Sequence, residues 1–207
     1  MTRRVDVVIP ARNAHDTIAN VVRPFIDHLF IGRIIVVANP PSTRTAIALK
    51  GLHDTRNIYL IQEHAEGKGQ AVKRGLEYVL TPHVLFCDAD ITGLTQIHIS
   101  ELVTDALAGI DSMVVGVPDI PENLPGHRLW SFPWVSGERC VPTRLVRPLQ
   151  LHGYLMETQI NCANSHAGFP VHFSPLKGCI SPFRMTDERI MAMVADAKWG
   201  KERGILL

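Results

Sequence analysis

Two short stretches of the chain carry residue types suited to chemistry. Gly67-Lys68-Gly69 sets an ammonium between two residues without side chains, just where a helical pattern begins. Backbone amides, the positive end of a helix dipole and the ammonium can converge there on one anion, and the spacing suits a diphosphate. Asp88-Ala89-Asp90 follows the apolar run Val84-Leu85-Phe86-Cys87. Delivered to the carboxyl edge of a sheet, its two carboxylates offer hard oxygen ligands to a divalent cation. A cation beside a diphosphate is the machinery of a nucleotide-dependent transferase. Each motif alone has a plainer reading, as a flexible turn or as a solvated turn or cap. Their order adds weight, because a helix of suitable length joins them: Val72, Leu76, Val79 and Leu80 form an apolar stripe, with Lys73, Arg74 and Glu77 facing water.

The elements that must position these groups are legible as an alternation. Val5-Asp6-Val7-Val8-Ile9, stopped by Pro10, reads as a buried strand. Ile18, Val21, Val22, Phe25, Ile26 and Leu29 predict an amphipathic helix closed by Gly32. Ile34 to Ala38 predicts a second strand, followed by the turn Asn39-Pro40-Pro41-Ser42-Thr43 and a helix to about Lys50. Asn57 to Ile61 predicts a third strand. Unbroken β-α alternation over residues 5–90 argues for an α/β fold with a right-handed, mostly parallel central sheet and ligands at its carboxyl edge. Further along, a helix at Gln96 to Leu107, a strand at Ser112 to Val117 and a proline-rich surface loop at 118–133 are expected. Ser136 to Val141 reads as extended, with Pro142 as the first residue of a helix. A helix at Tyr154 to Ser165, a strand at Val171 to Ser174 and a last helix with Ile190, Met193, Val194 and Ala197 on one face complete the pattern.

At 207 residues the chain suits one well-buried domain. A net charge of +1 and an aromatic content of 6% exclude a polyelectrolyte field and a stacking platform for single-stranded nucleic acid. The four cysteines, Cys87, Cys140, Cys162 and Cys179, form no Cys-x-x-Cys pair, which points to reduced thiols and a cytoplasmic compartment. No signal peptide or 18-residue apolar span is present.

In order along the chain, Val7 to Asn13, Ile34 to Thr43, Gly67-Lys68-Gly69, Asp88-Ala89-Asp90, Ser136-Gly137-Glu138-Arg139 and Gly153-Tyr154-x-x-Glu157 resemble the motifs of family 2-like glycosyltransferases with the GT-A fold. The branch most similar includes glucosyl-3-phosphoglycerate synthases and polyprenyl-phosphate sugar synthases. The resemblance implies a single GT-A (Rossmann-like) domain over residues 1–207, with 1–95 holding a nucleotide-diphosphate sugar and 96–207 the acceptor. By the same likeness, Pro10, Ala11, Arg12, Asn13, Asn39 and Ser42 would hold the nucleoside, and Gly67 with Lys68 the diphosphate. Asp88, Ala89 and Asp90 would be the DxD element for Mn²⁺ or Mg²⁺, Asp90 making the direct metal bond. The chain departs from the family in Ala14-His15 and Ala38-Asn39, where relatives carry acidic residues.

Glu157 falls where inverting relatives keep a catalytic carboxylate; the other reading is an exposed helix glutamate. Relatives sometimes supply a third metal ligand from the late strand, which makes His172, or His166 just before it, a candidate; the other reading is a structural histidine. Gly137, Glu138, Arg139 and Arg144, with Lys177 and Arg184, are candidates for holding an anionic acceptor, against an ordinary solvated face. Such an acceptor would be a phosphorylated small molecule, a lipid phosphate or a modified nucleic-acid base. The function expected is a metal-dependent hexosyl transfer in which Glu157, Asp90 and Lys68 carry the chemistry, in a monomer or homodimer. A nucleotidyltransferase and a non-catalytic nucleotide-sugar binder are the alternatives. The first would normally show a Gly-rich loop with Arg and Lys after strand one, where Pro10-Ala11-Arg12-Asn13 stands.

Overall fold

Continuous runs of β-branched residues become strands that are covered on both faces. These are β1 (Val5–Ala11), β2 (Ile31–Ala38) and β4 (His83–Phe86), whereas the edge strand β3 (Ile58–Gln62) leaves Tyr59 and Gln62 exposed. Val7, Ile9, Ile34 and Val36 pack on one side with helices α1 (Ile18–Val22) and α4 (Gln96–Ala108). Their sequence neighbours Val8, Ile35 and Val37 point the other way, toward α3 (Lys68–Leu76) and α6 (Met156–Ala167). The period-two alternation of the pleat therefore divides one apolar run between two cores. The remaining elements are α2 (Thr43–Lys50), β5 (Met113–Asp119), β6 (Arg139–Pro142), α5 (Thr143–Val146) and β7 (Val171–Ile180). This computed structural model describes residues 3–52, 57–62, 64, 67–119 and 136–181.

The sheet runs β3-β2-β1-β4-β6-β5-β7. Every neighbouring pair is parallel except those of β6, which is antiparallel to both β4 and β5. The expectation of an α/β fold with a mostly parallel central sheet is met. The carboxyl ends of β1, β2 and β4 and the amino end of β6 thus share one edge. Among the described residues no helix is long and apolar enough to cross a membrane.

Several boundaries differ from those expected, each for a local reason. The first helix stops at Val22 and continues as a 3₁₀ turn over Arg23–Phe25, because Pro24 has no N–H to donate; Leu29 is exposed. Helix α3 ends at Leu76, and Leu80, expected on its buried stripe, is 71% exposed. Its N–H is taken by Asp6. Strand β5 runs through Pro118 and Asp119, and β7 runs six residues past Ser174 to Ile180. The rest of the proline-rich loop, Arg184 and the expected last helix lie outside the described residues.

Asp6 joins three elements at the amino edge. Its carboxylate accepts from the N–H of Arg33 at 2.8 Å and of Leu80 at 2.7 Å, and its own N–H donates to Thr81 at 2.9 Å. The side chain is buried. Asp6→Asn would turn a donor toward one of these backbone N–H groups, and should cost about 2 kcal/mol. In thermal unfolding that is a drop of roughly 6 °C in Tm for a domain of this size. A native Tm would show the carboxylate to be dispensable.

Candidate active site

Strand β4 ends at Phe86, so Asp88 emerges at the carboxyl edge, beside the end of β1 and the start of β6. Helix α3 starts at Lys68 after Gly67, whose φ of +92° is open to glycine and strained for other residues. Its N-cap residue is Gly67, which has no side chain to cap it. The Lys68 ammonium reaches across to Asp88 Oδ1 at 2.6 Å and to Glu157 Oε1, in the first turn of α6, at 2.7 Å. The three side chains are 22%, 23% and 11% exposed. Burial works to lower the lysine's pKa, but the two carboxylates outweigh it and hold the group above its ordinary value. Lys68 is therefore a permanent cation. Glu157 is thus a buried partner of Lys68 and not an exposed helix glutamate.

The glycines around Lys68 have a role that their spacing does not reveal. A Cβ on Gly69 would lie 2.7 Å from the His152 nitrogen and 2.8 Å from the Leu151 carbonyl carbon. One on Gly67 would lie 3.2 Å from the Gly153 Cα. The segment 151–153 crosses directly over the start of α3, and this crossing carries Glu157 to the lysine. Gln159 fastens it, accepting from the His152 N–H at 2.9 Å and donating to the Gln150 carbonyl at 2.8 Å. No sequence signal marks Gln159.

The turn 136–139 packs against the DxD segment from the other side. A methyl on Gly137 would overlap the Asp88 carboxylate. Glu138 is 1% exposed; it accepts from Ser136 Oγ at 2.8 Å and from the Asp88 N–H at 3.4 Å. Burial, reinforced by the Asp88 charge, pushes its carboxyl up to about 7. Gly137 and Glu138, expected at the acceptor, thus stand against Asp88. Arg139 is fully buried. It donates to the Ser136 carbonyl, to the Glu157 carbonyl at 3.3 Å and to Asn161 Oδ1 at 2.8 Å. It ties the turn to α6 and presents no fork to an acceptor, which corrects the expectation.

On the other flank of the same edge lie the ends of β1 and β2. Ala11 pairs with Ala38, and the Asn39 N–H donates to the Ala11 carbonyl at 2.9 Å. Pro10 is half-buried, and Arg12 and Asn13 are exposed beside them, Asn13 with a φ of +53°. Ser42 caps α2, accepting from the Thr45 N–H at 3.2 Å. Thr17 binds this flank to the DxD element, its hydroxyl donating to the Ala89 carbonyl at 2.7 Å. A threonine just before the first apolar-periodic residue reads as a helix cap, yet its side chain caps nothing and serves the site instead. Asp90 is half-buried, two residues past Asp88. The backbone next to it is fixed by an antiparallel bridge between Thr92 and Ile180.

Two expected residues are elsewhere. β7 is parallel to β5 and pairs Val114 with His172, so His172 sits at the amino end of its strand and Ile180 at the site end. Ile180 pairs with Asp119, five residues of β5 beyond Val114, so the two lie about 17 Å apart along the sheet. His172 is 54% exposed and pairs with Asp105 at 2.5 Å. Arg144, on α5 past the far end of β6, pairs with Asp111 at 2.6 Å and lies over the Phe169 ring. A groove of about 550 Å³ between α4 and β7, lined by His98, Glu101, Asp105 and His172, contains none of the residues expected to bind the donor.

The profile described as glycosyl transferase family 2 matches residues 6–174, from β1 into β7. Among curated proteins none matches the sequence. Solved structures of glucosyl-3-phosphoglycerate synthase from Mycobacterium tuberculosis share the fold. Its complex with Mn²⁺ and uridine-diphosphate-glucose matches with a TM-score of 0.77 at 20% identity, over 99% of this chain and 80% of that one. A complex that also holds phosphoglyceric acid matches at 0.71 and 21%, over 93% and 79%. Another structure of the enzyme gives 0.73 and 21%, over 93% and 80%. At these identities the likeness speaks for architecture, whereas the profile covers the strands, the Gly-Lys-Gly turn, the DxD element and Glu157 together. The chain belongs to glycosyl transferase family 2.

Proposed function

We propose that the chain transfers a sugar from a nucleotide-diphosphate donor to an acceptor hydroxyl, with Mn²⁺ or Mg²⁺ held by Asp88 and Asp90. The observation that carries this reading is the meeting of Lys68, Asp88 and Glu157 at the carboxyl edge, between the uncapped start of α3 and the β1 turn. The donor set suits such a cation. Asp88 offers a hard carboxylate cleared by Gly137, and Asp90 follows on the same turn. Mg²⁺-type sites take one or two carboxylates and complete their shell with water and substrate phosphates. The bound cation would supply Lewis-acid charge at the leaving diphosphate.

The chain's own groups do the rest. Lys68, swung from its two carboxylates, and the backbone amides at the start of α3 would meet the leaving diphosphate and favour its growing charge. Glu157 accepts the proton of the attacking hydroxyl. Pro10 to Asn13 and Asn39 line the nucleoside flank. The acceptor is proposed to be a phosphorylated small molecule, on the likeness to a synthase held with phosphoglyceric acid. Arg139, fully buried, and Arg144, paired with Asp111 on another face, are not proposed as its ligands.

The test is to incubate the protein with a panel of nucleotide sugars, uridine-diphosphate-glucose first, with and without Mn²⁺, and to follow release of the nucleoside diphosphate. Release should fall at least 100-fold on chelation, a loss of about 2.7 kcal/mol of transition-state stabilisation. A panel with no metal-dependent release and no rise in Tm would overturn the reading. Arg144→Gln and His172→Ala should leave transfer within about twofold of native, since both lie at the opposite edge; a loss of tenfold or more would return either residue to the site.

A further inference from the structure

Lys68 is gripped from two sides by groups that the proposed reaction needs for other tasks. Its ammonium touches Asp88, the proposed metal ligand, and Glu157, the proposed proton acceptor, at 2.6 and 2.7 Å. A divalent cation bonded to Asp88 would stand within a few ångströms of that ammonium, in a partly enclosed site where like charges are poorly screened. The two cations cannot both keep their hold on this carboxylate at low cost. One must give way.

What can move is narrowly defined. The backbone under Lys68 is pinned where Gly67 and Gly69 meet segment 151–153. The backbone under Glu157 is pinned by Arg139, which holds its carbonyl and Asn161. The Asp88 loop is held by Glu138 and, through Ala89, by Thr17. The lysine's four-carbon stem is the soft member of the set. Swinging toward the uncapped start of α3 would carry its charge to where a diphosphate is proposed to bind.

We propose that Lys68 is the resident counter-cation of this site: it competes with the divalent cation for Asp88, and its displacement couples cation binding to the release of Glu157 for proton transfer. No covalent step is involved, and the lysine keeps its proton throughout. While Lys68 stays home, Glu157 is engaged and the acceptor hydroxyl has no base. Cation and donor together draw the ammonium away, so the base becomes available only when there is a sugar to transfer. This inference rests on the reading of Asp88 as a metal ligand given above.

The test measures Mn²⁺ affinity in the absence of nucleotide, from the electron paramagnetic resonance of free Mn²⁺. Lys68→Met removes the charge but keeps the stem, and should bind Mn²⁺ at least tenfold more tightly than native. Equal or weaker binding overturns the proposal. Should Lys68→Met fail to fold, Lys68→Gln removes the same charge and can still donate to one of the two carboxylates. It should tighten Mn²⁺ binding several-fold, and unchanged or weaker binding again overturns the proposal. Donor hydrolysis by the native protein reports on the function separately. Metal-dependent hydrolysis by native protein, with no tightening in either variant, sinks the coupling and leaves the function standing. If neither native protein nor variants bind Mn²⁺, both fall.

Discussion

Asp88→Asn is expected to lower kcat/KM for transfer by about 10³-fold while the protein stays folded. The substitution keeps the shape of the side chain and removes the charge that the proposed cation needs. Losing one preorganised electrostatic contact to developing charge typically costs 10²–10³ in rate, and here both the metal and the lysine lose their anchor. Stability should change little. Asp88 is partly exposed, its pairing with Lys68 is therefore screened, and the lysine retains Glu157. A Tm within a few degrees of native, with transfer nearly abolished, is the expected pair of results. Substantial transfer that still requires metal would remove Asp88 from the ligand set. Asp90→Asn should be at least as damaging if Asp90 makes the direct bond.

Gly69→Ala should destabilise the fold by about 3 kcal/mol, lowering Tm by roughly 10 °C. A single methyl has this effect because α3 has no direction in which to retreat. On one side its Cβ would meet the His152 and Leu151 backbone at 2.7 to 2.8 Å. On the other, Gly75 already sits so close to the sheet that a Cβ there would lie 2.5 Å from Val8 Cγ1. The helix is clamped between β1 and the crossing segment, so the clash must be taken up by backbone. Transfer should fall as well, since the crossing sets the distance from Lys68 to Glu157. Thermal unfolding without ligand separates this role from a donor-binding one. A native Tm with weakened donor affinity would mean that Gly69 serves the diphosphate rather than the crossing.

The expectation for Gly69 shows where local reading stops. The pattern Gly-Lys-Gly before a helix correctly marks a place where bulk is not tolerated, but the object excluding that bulk is a chain segment more than 80 residues away. Arg139 is similar. As a charge among charges it reads as surface, yet the fold buries it and spends its donors on Ser136, Glu157 and Asn161. His172 was misplaced for a different reason. A strand read as Val171 to Ser174 would bring its histidine near the sheet edge, but the strand runs to Ile180, and the added length puts His172 at the opposite end.

What the sequence by itself determined is the set of properties carried by near neighbours. The β-branched runs specified β1, β2 and β4, the spacing of Val72 and Leu76 the inner face of α3, and the strand-to-Asp step the position of Asp88 at a carboxyl edge. These follow from periods of 2 and 3.6 residues and need no knowledge of the partner. Only the tertiary structure decided that β6 runs antiparallel between β4 and β5, so that Gly137 and Glu138 stand against Asp88. It alone decided that segment 151–153 crosses α3, making Glu157 a buried partner of Lys68 rather than a solvated glutamate. The physical reason is that a local pattern specifies which face of an element is apolar, whereas the charges that share a site are chosen by strand order and by close backbone crossings between segments distant in the chain.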